Sequence, residues 1–211
     1  MSKNYLGIGV VVLALAVTLV FTGCDGEETT TTTTTPTTDT EATEDMTLQA
    51  AKKLTDTKAK EWAEDAVLEK FRWTEVDENG IADTWKLQYC SLEKGTANIV
   101  TVSKGGTPTL NEQDSCTHDE QGSEDLALDS KEVLEKAAEE IDAYKADNPE
   151  AVVKLSLTRY TGGDWHYLWE VHLYPDQAAA DEGDSGKDMR ILMDDGGNIT
   201  AVNDCKTESC L

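Results

Sequence analysis

Two alternating segments of matching layout, 84 positions apart, constrain this chain more than any other feature. Trp85-Lys86-Leu87-Gln88-Tyr89 alternates apolar and polar residues, and so does Trp169-Glu170-Val171-His172-Leu173. The same offset relates Phe71-Arg72-Trp73 to Leu155-Ser156-Leu157. A period of two is the mark of half-buried strands. Between the two segments of each copy stand Asp77-Glu78-Asn79-Gly80 and Thr161-Gly162-Gly163-Asp164, residue types that accept the positive φ of a hairpin turn. Each copy is therefore expected to contain a hairpin.

A third strand follows in each copy, Asn98 to Ser103 before Gly105-Gly106 and Met189 to Asp194 before Gly196-Gly197. It leads to Cys116 in one copy and Cys205 in the other. Ahead of the second copy lies its clearest helix, Ser130 to Ala146. Asp129 and Glu132 form a capping-box start, Val133, Ala137, Ile141 and Tyr144 make one stripe, and Asn148-Pro149 is the stop. The first helix, roughly Leu48 to Val67, has the poorer stripe Leu48, Ala51, Ala59, Trp62 and Ala66. The fold class expected is α+β, with two tandem units of a helix plus a three-stranded antiparallel sheet, at residues 47–118 and 125–211. Trp165, Tyr167, Trp169, Val171 and Leu173 share a strand face that reads as core, as do Ile81, Trp85, Leu87 and Tyr89 in the first copy.

The amino terminus points to location. Lys3 is the only charge before Asp25, and Leu6 to Phe21 is an unbroken run of apolar, Gly and Thr residues that ends in Thr22-Gly23-Cys24. That layout is a secretory signal, and its ending resembles the lipobox of bacterial and archaeal lipoproteins, which implies lipid attachment at Cys24. Phe21 departs from the aliphatic residue usual three places before that Cys. The rival reading of residues 1–24 is an uncleaved membrane anchor at the short end of spanning length. Either places the remainder outside the cytoplasm, held to the cell membrane by its amino end. Residues 25–46 contain no aromatic, Leu, Ile or Val and include seven consecutive threonines, Thr29 to Thr35. Such a stretch has nothing to bury and is expected to be a disordered, acidic linker reaching about 25–28 Å.

The order helix, hairpin, third strand ending in a Gly turn, with a Trp-x-aliphatic-x-apolar middle strand, resembles the PepSY domain and its relatives. That family occurs in extracytoplasmic lipoproteins, often as tandem copies, and in propeptides of some secreted peptidases. The resemblance covers about 69–115 and 125–203. Its usual Asp-x-x-x-Gly turn is compressed here to Asp194-Asp195-Gly196-Gly197 and lacks the acid in Ser103-Lys104-Gly105-Gly106. It implies a module that binds an envelope protein or peptide, or one that inhibits a peptidase.

Charge excludes some functions. The chain has 42 Asp plus Glu against 18 Lys plus Arg, a net charge of −24. Beyond residue 46 there remain 35 acids and 17 bases, a surface that repels phosphate backbones, so nucleic acid is not an expected partner. With Cys24 set aside, Cys90, Cys116, Cys205 and Cys210 form an even set, and disulfides are the default in an exported protein. Four cysteines allow three pairings, of which Cys90–Cys116 and Cys205–Cys210 are favoured; a zinc site would lack any Cys-x-x-Cys pair. His166, Glu170 and His172 share the polar face of one strand and are weak metal candidates; Asp181, Glu182, Asp184 and Asp188 lack the spacing of a calcium loop. No cofactor is expected. Gly-x-Ser-x-Gly, His-Glu-x-x-His and phosphate-loop motifs are absent, no catalytic residue is assigned, and binding is expected rather than turnover. The alternative is a lipoprotein that binds a small ligand or metal ion.

Overall fold

The computed structural model describes residues 46–116, 125–161, 165–183 and 188–204, all within the unit Thr40–Leu211. Helix α1 (Leu48–Trp62) is followed by strands β1 (Val67–Glu75), β2 (Thr84–Ser91), β3 (Thr96–Ser103) and β4 (Thr109–Asp114). Helices α2 (Ser130–Lys136) and α3 (Ala138–Asp147) then precede β5 (Val152–Thr161), β6 (Trp165–Tyr174), the short helix α4 (Gln177–Glu182), β7 (Met189–Met193) and β8 (Ile199–Asp204). The α+β class holds.

The eight strands form one sheet in the order β4-β3-β2-β1-β5-β6-β7-β8, and every neighbouring pair is antiparallel. The order reads the same outward from the β1–β5 seam in both directions. Two expectations are corrected. Each half carries four strands, because the Gly turns after β3 and β7 continue into a further hairpin arm, with Gly105 at φ 68° and Gly197 at φ 79°. The halves also do not form separate sheets: β1 and β5 pair, with Phe71 opposite Leu157 and Thr74 opposite Leu155.

The reason is burial. A helix on a four-stranded sheet hides a small fraction of its surface, and fusing two such sheets removes two apolar edges from water at once. Phe71 sits at the seam, edge-on to Trp85 at 5.2 Å and to Trp169 at 5.8 Å between ring centroids. The two tryptophans that mark the sequence repeat thus share one aromatic neighbour, and one core runs through both halves. Trp85 satisfies its indole N–H on the Met46 carbonyl at 2.8 Å.

The helices are shorter than expected. Leu48, Ala51, Thr55 and Ala59 are the buried stripe of α1, which stops at Trp62 where Ala63 turns extended (φ −150°, ψ 127°); Val67 belongs to β1. The second expected helix breaks at Ala137 (φ −92°, ψ 4°) into α2 and α3, while the Asp129/Glu132 capping box is present. Asp129 and Ser130 cap α1 as well: Leu48 N–H donates to Ser130 Oγ (3.0 Å) and Gln49 N–H to Asp129 Oδ1 (2.9 Å). The Ser130 hydroxyl then donates to the Gly80 carbonyl at 2.7 Å, which fastens the β1–β2 turn beneath both helix starts. Cys90 and Cys116 are joined as a disulfide.

Candidate functional site

Helices cover one face of the sheet; the opposite face carries the polar residues of β1, β2, β5, β6 and β7, and here β1 departs from regular geometry. Its register shifts between Leu68 and Lys70 against β2, and between Phe71 and Thr74 against β5. The second irregularity puts Trp73 at φ 38°, a left-handed conformation that costs a side chain of this size about 1–2 kcal/mol. The alternation of Phe71-Arg72-Trp73 sets Trp73 on the same strand face as Phe71. Instead, the bulge turns it to the open face, where it is 40% exposed while Phe71 is buried.

The indole is held in place by the second half. Its ring meets His172 edge-on at 5.0 Å, and the Arg190 guanidinium lies 5.9 Å from its centre. The registers line up Glu75, Lys154, His172, Arg190 and Asn203 across five strands. His172 is closed off from solvent: Nε2 is 2.8 Å from the Asp188 carboxylate, Nδ1 is 3.0 Å from the Tyr174 hydroxyl, and the Tyr174 ring stacks on the imidazole at 4.2 Å. Burial holds the imidazole below its ordinary value of 6.5, against the upward pull of the Asp188 hydrogen bond. Glu170 reaches Ser156 at 3.4 Å and Arg190 at 3.7 Å, and burial raises its carboxyl above the usual 4.5. Lys154 caps the cluster, donating to the Ala180 carbonyl and sitting over the Tyr174 ring.

On the other side of Trp73, where β1 meets β2 and the turn after β3, lies a groove of about 740 Å³. Arg72, Trp73, Glu75, Lys86 and Lys104 contribute to its walls, with Val76 and Ile81 as apolar lining.

Of the metal candidates, Glu170 and His172 do share one face, yet each is engaged by other groups. His166 stands in β6 opposite Tyr160, six residues or about 20 Å along the strand from His172. Among the described residues no three His, Cys, Asp or Glu side chains converge as a metal site. Asp188, read as part of an acidic loop, is the buried partner of His172, and Asp181 accepts from Gln177. Cys24, Cys205, Cys210 and Asp184 lie outside the described residues, as does the Gly162–Asp164 part of the second hairpin turn. Among the described residues no helix is long and apolar enough to cross a membrane.

The margins of the sheet are the other exposed feature. Of four large apolar residues left open to solvent among the described residues, three lie in the outermost strands: Leu110 (37%) in β4, and Ile199 and Val202 (both 41%) in β8. Pairing of Leu110 with Val100, Ile199 with Met193 and Val202 with Ile191 places all three on the helix-covered face. No signal in a single sequence distinguishes such a margin residue from a core one. Comparison with protein-family models, with curated proteins and with solved structures returns no match.

Proposed function

We propose that the chain is an extracytoplasmic binding module, held at the membrane through Cys24 or an anchor in residues 1–24, that takes an extended segment of a partner protein along β8. The observation that carries the reading is the apolar margin of β8. Ile199 and Val202 on β8 are both 41% exposed, although they lie on the face that the helices cover. The apolar row of β8 is therefore left half open to solvent. β8 contains neither Lys nor Pro, the residues with which natural sheets usually blunt such an edge. An added strand would gain main-chain hydrogen bonds from β8 and cover Ile199 and Val202.

The partner is expected to present a neutral or basic segment, since the chain carries −24 and repels acidic ones. Tandem PepSY-like ancestry, supported by the mirrored strand order, makes an envelope peptidase one candidate. Binding rather than turnover is supported by His172, whose two ring nitrogens are both engaged and closed to solvent.

The test is capture from the native envelope by the full chain and by two variants. Val202→Lys puts a charge on the β8 margin; Thr57→Lys puts one on the exposed side of α1. A protein enriched by the wild type and by Thr57→Lys, and lost with Val202→Lys, supports the reading. Enrichment indifferent to Val202→Lys, or none, refutes it.

A further inference from the structure

We propose that the groove beside Trp73 binds a small planar organic anion, that is, a flat ring bearing a carboxylate, phosphate or sulfonate. This inference does not depend on the β8 edge, which lies at the far margin of the sheet.

The volume of about 740 Å³ falls in the range of small-molecule sites. Its charge is unusual for this chain. Arg72, Lys86 and Lys104 line one groove in a chain where acids outnumber bases 42 to 18. The β1–β2 register that sets Phe71 against Leu87 carries Arg72 alongside Lys86. Lys104 is brought to the same rim by its backbone N–H, which donates to the Asp83 carbonyl at 2.9 Å. None of the three cations has an ion pair with a carboxylate among the described residues.

The carboxylates of the groove are more occupied. Asp77 Oδ1 accepts the Asn79 and Ile81 N–H groups at 2.8 and 3.0 Å, and Glu75 accepts from the Gln177 side chain at 3.1 Å. Asp83 alone of the three keeps a side chain with no partner among the described residues. The groove's three cations balance its three carboxylates, Glu75, Asp77 and Asp83, so the lining is neutral in a chain of net charge −24. The cations, held in no ion pair among the described residues, are the groups open to an anion. The field of the whole chain still repels extended polyanions, which restricts the occupant to a small molecule.

Trp73 supplies the second half of the argument. A backbone strained into the left-handed region and an indole wedged against His172 and Arg190 amount to an aromatic wall fixed before any ligand arrives. Strain of this kind persists where the surroundings enforce it and is concentrated at ligand sites. A pre-set ring lowers the ordering cost of stacking a flat ligand against it.

The experiment is calorimetric titration of the full chain, at low salt, with 2-naphthoate, with its neutral isostere 2-naphthamide, and with inorganic phosphate. The expected result is a 2-naphthoate Kd below about 1 mM, with the amide and phosphate each weaker by about tenfold or more. Lys86→Gln/Lys104→Gln, two exposed side chains whose loss leaves the core untouched, weakens 2-naphthoate by about fivefold. Trp73→Leu abolishes the preference for the ring, leaving 2-naphthoate no better than phosphate. Equal binding of acid and amide, phosphate binding as tight as 2-naphthoate, no effect of the double lysine change, or no binding at millimolar ligand each overturns the proposal. The lysine variant keeps the test decisive should Trp73→Leu fail to fold.

Discussion

Removing the Cys90–Cys116 disulfide gives the most calculable consequence of this architecture. The bond closes a loop of 26 residues that contains all of β3 and β4. In the chain-entropy treatment such a loop removes about 12 cal/mol/K from the unfolded ensemble, or about 3.5 kcal/mol at 25 °C. For a folded body of this size each kcal/mol moves the melting temperature by about 2–4 °C, so the drop is about 7–14 °C. The assay is urea and thermal unfolding of the full chain with Cys90→Ala/Cys116→Ala, against a reference in which Cys24, Cys205 and Cys210 are already serine in both proteins. The effect is also expected to be local. The bond ties the end of β2 to the chain leaving the outermost strand β4, so hydrogen exchange should rise most in β3 and β4 and least in β6 and β7. A loss under about 1 kcal/mol would refute the loop-constraint reasoning, and equal exchange gains in both halves would refute its location.

Gly80 and Gly95 both have positive φ, 72° and 64°. A Cβ at Gly80 would lie 2.5 Å from Lys131 N, whereas one at Gly95 meets nothing within 4 Å. Gly95→Ala should therefore cost about 1 kcal/mol and Gly80→Ala at least twice that by urea unfolding; equal costs would contradict the docking of the turn under α2. Phe71→Ala should cost about 3–5 kcal/mol and, because its ring touches both Trp85 and Trp169, should lower a single unfolding transition seen by calorimetry. Survival of one half at its original melting temperature would contradict a shared core. His172 is held below 6.5 by burial, with Asp188 opposing and Arg190 and Lys154 assisting. Between 6.5 and its lower folded value the unfolded chain binds more protons, so stability should fall as pH drops through that window. Glu170, raised above 4.5 by burial, works in the opposite sense lower down. His172→Gln should flatten the decline, and an unchanged slope in pH-dependent unfolding would refute the assignment. Cys24→Ser should move the chain from the membrane to the soluble fraction of its native cell, and full retention would favour an uncleaved anchor.

Much of the fold is legible in the sequence because it rests on short-range rules. The period-two segments around Trp85 and Trp169 are β2 and β6, Asp77 to Gly80 is a turn, and Asp129 with Glu132 starts a helix. What escaped depends on longer-range competition. β4 and β8 are short outer strands whose apolar content, Leu110 or Ile199 and Val202, is too sparse to register as a period. Fusion into one sheet follows from the pairing of β1 with β5, which no local pattern encodes. The site was the least visible part. The irregularity between Phe71 and Thr74 displaces Trp73 from the face its alternation assigns, and His172 finds Asp188 16 positions further along the chain, beyond α4. Of the weak metal candidates, the sequence rightly put Glu170 and His172 on one face, but their partners came from β5, β7 and the loop before it.

Amide-resolved hydrogen exchange of the full chain tests most directly whether the two copies make one sheet with an open β8 margin. The account predicts that amides of β1 and β5 exchange slowest, together, and only through global unfolding, while alternate amides of β8 exchange orders of magnitude faster. Separate exchange regimes for β1 and β5 would contradict the fused sheet, and uniform protection of β8 would contradict the open edge on which the binding role rests.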